Sequence, residues 1–219
     1  MNFTVHDVDQ RSPEWAALRA GLVTGSCANA LIAVRKKGTG ELAVRRDLRS
    51  LIVCEVLTQA PIEKVSRKTD AMARGVEFEP DAVAAYELAT NRSVYRVGFI
   101  AHNTLKAGCS PDGYVGEWEG IVETKCPNSI THMEYIEAGV VPEEYFGQLV
   151  HSMWLTGAEW ADFVSYDPRF KPAHLQLFIK RVNRADVDMT AYELAVTLFL
   201  SEVEKQVDAA MRRGAEVAA

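Results

Sequence analysis

The sequence predicts a single α/β domain in which a central mixed β-sheet is flanked by helices. Three observations predict it: helical spacing of apolar residues up to about residue 90, a switch to period-two alternation after Asn91, and a return to helical spacing near the C-terminal end. With 219 residues, 48% hydrophobic and 25% charged, the chain has the balance of an ordinary globular domain, which excludes a disordered or fibrous class. One domain over 1–219 is expected, with a helical part over about 12–90, a sheet core over about 91–182 and a terminal helix over about 185–213.

Ser12-Pro13-Glu14 has the order of a cap, a proline at the first helical position and an acid in the first turn, so a helix carrying Trp15 and Leu18 should run to about Gly21. Thr24-Gly25-Ser26 then caps a short helix to about Ala33, placing hydroxyls and unpaired N–H groups where an anion would sit. Arg35-Lys36-Lys37-Gly38-Thr39-Gly40 reads as an exposed loop. Leu48, Leu51, Ile52 and Val56 mark a long helix over 41–59 that ends before Pro61, and another is expected over about 70–90, kinked or restarted by Pro80. Strands follow from Val94 to Lys125. A helix starting at Pro142 ends at Gly157, two strands cover 160–166 and 174–182, and a terminal helix should turn Leu194, Leu198 and Val203 inward.

The net charge of −6 speaks against a protein that coats nucleic acid without specificity, but the charges are segregated. Residues 35–49 hold Arg35, Lys36, Lys37, Arg45, Arg46 and Arg49 against Glu41 and Asp47, while 183–219 is acidic. Two oppositely charged solvated faces and a phosphate-tracking groove lined by the first segment both fit that pattern. The longest uncharged stretch, Tyr145 to Ala158, falls short of the roughly 18 apolar residues of a spanning helix, so no membrane association is expected. The first residues lack a basic start followed by an apolar stretch, so a cytoplasmic location is expected. Cys27, Cys54, Cys109 and Cys126 form no C-x-x-C pair, and free thiols are the default.

The chemistry lies in Ser110-Pro111-Asp112-Gly113 and Val122-Glu123-Thr124-Lys125-Cys126-Pro127. Alternate strand residues share a face, so Glu123 and Lys125 project together while Thr124 points away, and Asp112 at the end of the neighbouring strand converges on the same spot. Two carboxylates are hard ligands for Mg²⁺, and an ammonium beside them can orient a water or offset developing charge, which suits phosphodiester hydrolysis. His151 reads as a packed core histidine. Trp15, Trp118, Trp154 and Trp160 read most simply as core or rim residues, and only Trp118, beside the turn from Gly113 to Gly120, stands where it could instead touch substrate.

Pro111-Asp112 with Glu123-Thr124-Lys125 resembles the P-D…(D/E)-x-K motif of the restriction-endonuclease-like core. The resemblance narrows when further motifs are added. These are Leu18-Arg19, Gly21-Leu22-Val23-Thr24-Gly25-Ser26, Glu79 with Asp81, Cys109-Ser110-Pro111-Asp112-Gly113, Lys125-Cys126-Pro127, Gln148 with Ser152-Met153-Trp154, and Tyr166-Asp167-Pro168-Arg169. They stand in the order found in the phage lambda-type exonuclease (viral recombinase) family and span about two thirds of the chain.

That resemblance implies a nuclease, phage or prophage encoded, that degrades linear double-stranded DNA from the 5′ end to mononucleotides and leaves 3′ overhangs for recombination. It implies two Mg²⁺ ions, replaceable by Mn²⁺, held by Asp112, Glu123 and Glu79, with Lys125 catalytic and Gln148 beside it. Arg19, Ser26 and Ser110 match residues that hold the terminal 5′-phosphate. A homotrimeric ring around DNA and a single-strand annealing protein as partner are implied too, with Arg35, Lys36, Lys37 and Arg45 facing the DNA. Met72, two helical turns before Glu79, is placed either to wedge apart the terminal base pair or to make an ordinary core contact. No cysteine follows Cys126, so an iron–sulfur cluster is not expected. The alternatives are an endonuclease or 3′-directed enzyme on the same core, and a catalytically inactive DNA-binding module.

Overall fold

A computed structural model describes residues 1–33, 40–62 and 70–218. The strands form two sheets rather than one. In the first, β1 (Phe3–His6), β4 (Phe99–His102), β5 (Ala107–Cys109) and β2 (Val23–Thr24) are ordered β1-β4-β5-β2. The second follows the order β3 (Val94–Tyr95), β6 (Gly113–Val115), β7 (Gly120–Lys125), β8 (Trp160–Tyr166) and β9 (Leu177–Asn183). β1 and β2 escape a period-two search because they are short, and β1 alternates little in burial.

The helices are α1 (Pro13–Arg19), α2 (Asn29–Ile32), α3 (Ala43–Thr58), α4 (Asp70–Thr90), α5 (Ser129–Ala138), α6 (Glu143–Thr156) and α7 (Met189–Ala218). Ser12 caps α1 by accepting from the Trp15 N–H, as the cap pattern predicts. α4 runs through Pro80 as one helix, with the proline on its exposed side. α5 is absent from the elements expected from sequence. Its cap, Asn128, accepts from the Thr131 N–H, and Gly139 ends it in the left-handed region.

β7 and β8 run parallel, so the chain between them must cross over, and α5 and α6 form that crossover. α6 touches β5 of one sheet and β7 and β8 of the other. Seven consecutive residues from Leu149 to Leu155 are buried, so this half of the helix is covered on all sides. It also lies against α2 at Gly147, where a Cβ would stand 2.2 Å from Asn29 Oδ1.

α7 buries Tyr192, Val196, Phe199, Leu200 and Val203, but Leu194 and Leu198 are 57% and 54% exposed. Val203 faces inward as expected, whereas Leu194 and Leu198 face outward: Leu194 lies two residues, some 200°, around the helix from Tyr192. Among the described residues no helix is long and apolar enough to cross a membrane.

Several buried polar side chains are paired with one another. Asp162 accepts from Tyr86 and takes the fork of Arg181 at 2.8 and 2.7 Å, and that guanidinium stacks 3.7 Å above Trp160. His151 is wholly buried, as the sequence suggests. Its Nε2 donates to the Gly108 carbonyl, so Nδ1 must be the acceptor of the Tyr192 hydroxyl, which fixes the neutral tautomer.

Burial lowers the His151 pKa to about 4, against an ordinary value near 6.5. Above pH 6.5 the imidazole is neutral folded or unfolded and contributes no pH dependence. As pH falls from 6.5 toward 4 the unfolded chain takes up a proton that the folded one refuses, so stability is lost. Chemical unfolding at pH 7.5 and pH 5 should show wild type losing about 2 kcal/mol more than His151→Gln; equal losses would contradict a neutral buried imidazole.

Candidate active site

The antiparallel pairing of β6 with β7 reaches only to Gly113↔Val122, so beyond it β7 lacks a backbone partner on that side. Asp112 fills the gap. Its Oδ2 accepts the Thr124 N–H at 2.7 Å and the Thr124 hydroxyl at 2.9 Å. Thr124 therefore does not simply point away, as strict alternation suggests; it is the residue that orients Asp112, and it leaves Oδ1 for a ligand.

Glu123 is 3% exposed. Its Oε1 accepts from Lys125 Nζ and, at 2.5 Å, from Gln148 Nε2 of α6, while Oε2 is buried without a partner among the described residues. Burial outweighs the nearby ammonium and pushes the Glu123 carboxyl up to about 7. Burial works against the Lys125 ammonium, yet Glu123 and Asp112 together hold its pKa above the ordinary lysine value. Lys125 also donates to the Thr124 carbonyl at 3.2 Å and lies 5.0 Å over the Tyr145 ring. Asp112, Glu123, Lys125 and Gln148 are thus brought together. The orphaned Oε2 of Glu123, together with the Oδ1 of Asp112, which makes no hydrogen bond among the described residues, would suit a hard divalent cation.

Glu79 is not part of that knot. Its Oε2 is held by Arg11 at 2.8 Å, and it shares with Asp112 the wall of a polar cavity of about 370 Å³. Among the described residues no three His, Cys, Asp or Glu side chains form a ready metal cage. Arg11 and Gln10 were not singled out from sequence; Gln10 donates to the carbonyls of Val97 and Pro111, tying the N-terminal segment to the residue before Asp112. The signal for Arg11, a backbone at φ 73, is invisible without coordinates.

Arg19, Ser26 and Ser110 form a second cluster. Arg19 donates to Thr24 Oγ1 at 3.3 Å and Ser26 Oγ at 3.2 Å, lies 4.0 Å over the Trp15 ring, and makes no ion pair among the described residues. Desolvation lowers its pKa. Ser110 Oγ accepts from Trp15 Nε1 at 2.8 Å. Trp15, read from sequence as core or rim, belongs to this cluster. The capped helix expected here is a three-residue 3₁₀ turn, Gly25–Cys27, and then the four residues of α2. Any affinity of this cluster for an anion would rest on its hydroxyls and guanidinium rather than on a helix dipole.

Gly25 joins the clusters: a Cβ there would stand 3.4 Å from Gln148 Cγ, so the turn carrying Ser26 packs directly on the helix residue that holds Glu123.

The expected DNA-facing residues fare differently. Arg35, Lys36 and Lys37 lie outside the described residues. Arg45 is not a free phosphate contact: its fork grips Glu202 of α7 at 2.7 and 3.0 Å and Glu41 at 2.6 Å. Arg49 joins the same two acids. The basic segment and the acidic terminal segment therefore meet in one ion-pair network. Met72 falls within α4, but its side chain lies outside the described ones. Trp118, expected near substrate, stacks on Tyr114 at 3.9 Å and meets the edge of Phe3 at 5.1 Å. Cys109 and Cys126 are pushed up to about 12 by burial, so neither is a thiolate nucleophile at neutral pH.

A family model described as the YqaJ-like viral recombinase domain matches residues 14–159. Among solved structures the chain is similar to an alkaline exonuclease (LHK-Exo) from Laribacter hongkongensis, at 37% identity and TM-score 0.81, covering 94% of this chain and 100% of that one. The same enzyme in complex with dAMP gives a TM-score of 0.82 over the same shares. A phage-related exonuclease from Haemophilus somnus 129PT is 15% identical, with a TM-score of 0.59 over 88% of this chain and 96% of that one, and shares the fold. No curated protein matches the sequence.

An unpaired, partly desolvated guanidinium among hydroxyls should take up a phosphate dianion. Inorganic phosphate at about ten times its dissociation constant should raise the melting temperature by about 3 °C over chloride of equal ionic strength. The shift should vanish in Arg19→Ala; an equal shift in both proteins would place the anion elsewhere.

Proposed function

The chain belongs to the YqaJ-like viral recombinase domain family, and from that premise we propose that it is a Mg²⁺-dependent DNA exonuclease. It degrades one strand of linear double-stranded DNA from the 5′ end, releases mononucleotides and leaves a 3′ overhang for recombination by strand annealing. The observation that carries this reading is the buried Oε2 of Glu123, without a partner among the described residues, on a carboxylate whose Oε1 is held by Lys125 and Gln148 and whose charge Asp112 feels. The likeness to an alkaline exonuclease supports the reaction class, and that enzyme's complex with dAMP supports a mononucleotide product.

Asp112 and Glu123 would hold the metal, with Glu79 joining them if Arg11 releases it; two ions, Mg²⁺ or Mn²⁺, suit this set. When bound, the metal supplies Lewis-acid polarisation of the scissile phosphate and a more acidic water. The chain's own residues do the rest. Gln148 and Lys125 fix the rotamer of Glu123, so its second oxygen stays aimed at the ligand. The Lys125 ammonium orients the attacking water and offsets charge developing on the phosphate oxygens. Arg19, Ser26 and Ser110 hold the terminal 5′-phosphate, which makes the enzyme end-directed and disfavours an endonuclease.

A homotrimeric ring threaded by duplex DNA, an annealing protein as partner, a phage or prophage gene and a cytoplasmic site of action complete the proposal. Met72 stays the proposed wedge at the duplex end. The terminal 5′-phosphate supplies the polarity that the three core residues lack.

Lys125→Ala should keep its circular dichroism spectrum and DNA binding while losing about 100-fold or more in turnover, about 2.7 kcal/mol of barrier. More than about a tenth of wild-type turnover would remove Lys125 from the reaction. Asp112→Asn and Glu123→Gln should each weaken Mg²⁺ or Mn²⁺ binding in calorimetry, and unchanged binding in both would contradict their role as ligands.

A further inference from the structure

We infer that Trp15 is a positioning residue that sets the preference for a 5′-phosphorylated end, acting through Ser110 and Arg19. The inference rests on the reading of Arg19, Ser26 and Ser110 as the 5′-phosphate pocket, and adds to it the group that orients two of the three.

The indole of Trp15 has one polar atom, and it can only donate. With Nε1 2.8 Å from Ser110 Oγ, the serine oxygen must accept, so its own hydroxyl proton is turned away from Trp15 and is available to an anion. A serine without that partner rotates freely and offers lone pairs as readily as its proton. Trp15 itself is held on both sides. Its backbone N–H is bound by Ser12 Oγ at 3.1 Å, and Pro13 starts the helix in front of it.

Four residues on, one face of Arg19 rests 4.0 Å from the centre of the Trp15 ring. The ring covers that face, so the guanidinium edge is what remains to meet a ligand. Its bonds to Thr24 Oγ1 and Ser26 Oγ, at 3.3 and 3.2 Å, are longer than the 2.7–2.9 Å of a strong charge-assisted bond. The guanidinium is therefore aimed but not satisfied. A terminal phosphate monoester brings oxygens and charge that a 5′-hydroxyl end lacks, so this orientation favours phosphorylated ends more than it favours ends in general.

The test is the ratio of kcat/KM on 5′-phosphorylated and 5′-hydroxyl duplexes. Trp15→Phe keeps a ring under Arg19 and removes the donor to Ser110; it should lower the ratio about fivefold, mainly through KM on phosphorylated ends. Trp15→Leu, which also removes the ring, should lower it further, toward the value for Arg19→Ala. Because the indole acts through Ser110, Trp15→Phe combined with Ser110→Ala should have the same ratio as Ser110→Ala alone. If Trp15→Leu fails to fold, Trp15→Phe and Ser110→Ala carry the comparison.

A wild-type ratio in Trp15→Phe, with Arg19→Ala abolishing the preference, would overturn the role of Trp15 and leave the pocket standing. Fully additive losses in the double variant would overturn the route through Ser110. A preference that survives Arg19→Ala would overturn the pocket, and this inference with it.

Discussion

A carboxylate buried to 3% exposure with one oxygen unpartnered is the constraint around which this molecule is arranged. Glu123 makes both of its hydrogen bonds through Oε1, and a buried Oε2 with no partner among the described residues costs free energy unless a cation meets it. Holding the group there requires β7 to lie between β6 and β8, Lys125 to sit two residues on along the same face, and α6 to lie close enough for Gln148 to reach it. α6 in turn lies close because Gly147 lets it rest against Asn29, and the turn before α2 packs on Gln148 at Gly25. One buried helix thus fixes the spacing between the carboxylates and the Arg19 cluster. A rigid spacing of that kind is what measuring one nucleotide from a phosphorylated end demands.

The same economy appears in the charges. Arg45 and Arg49, which in sequence look like a phosphate-tracking stripe, are held by Glu41 and by Glu202 from the far end of the chain. The network ties α3 to α7, so the net charge of −6 does not rest on two independent, oppositely charged faces.

Much of the site is legible without coordinates because its chemistry is local. Glu123 and Lys125 share a face by strand alternation, and the extents of α1, α6 and β8 follow from Ser12-Pro13, Gly157 and the run from Trp160. What is not legible depends on pairings distant in sequence. Thr124 binds Asp112 because a strand ladder stops one residue early, and Trp15 reaches Ser110 across 95 positions. α7 misleads for a different reason. Leu194 and Leu198 share one helical stripe and Tyr192, Val196, Phe199 and Val203 another, and apolarity alone cannot say which is covered. The division into two sheets depends on which short strands find one another, and β1 pairs with a strand more than ninety residues away.

The central claim is that this site attacks DNA from a phosphorylated 5′ end. Its most direct measurement uses one linear blunt duplex, 5′-phosphorylated and radiolabelled at the 5′ terminus of one preparation and at the 3′ terminus of another, digested in Mg²⁺. The account predicts that the 5′ label appears first, as a labelled mononucleotide, while the 3′ label stays in long single strands. Early release of the 3′ label, or internal fragments from a circular duplex, would contradict it.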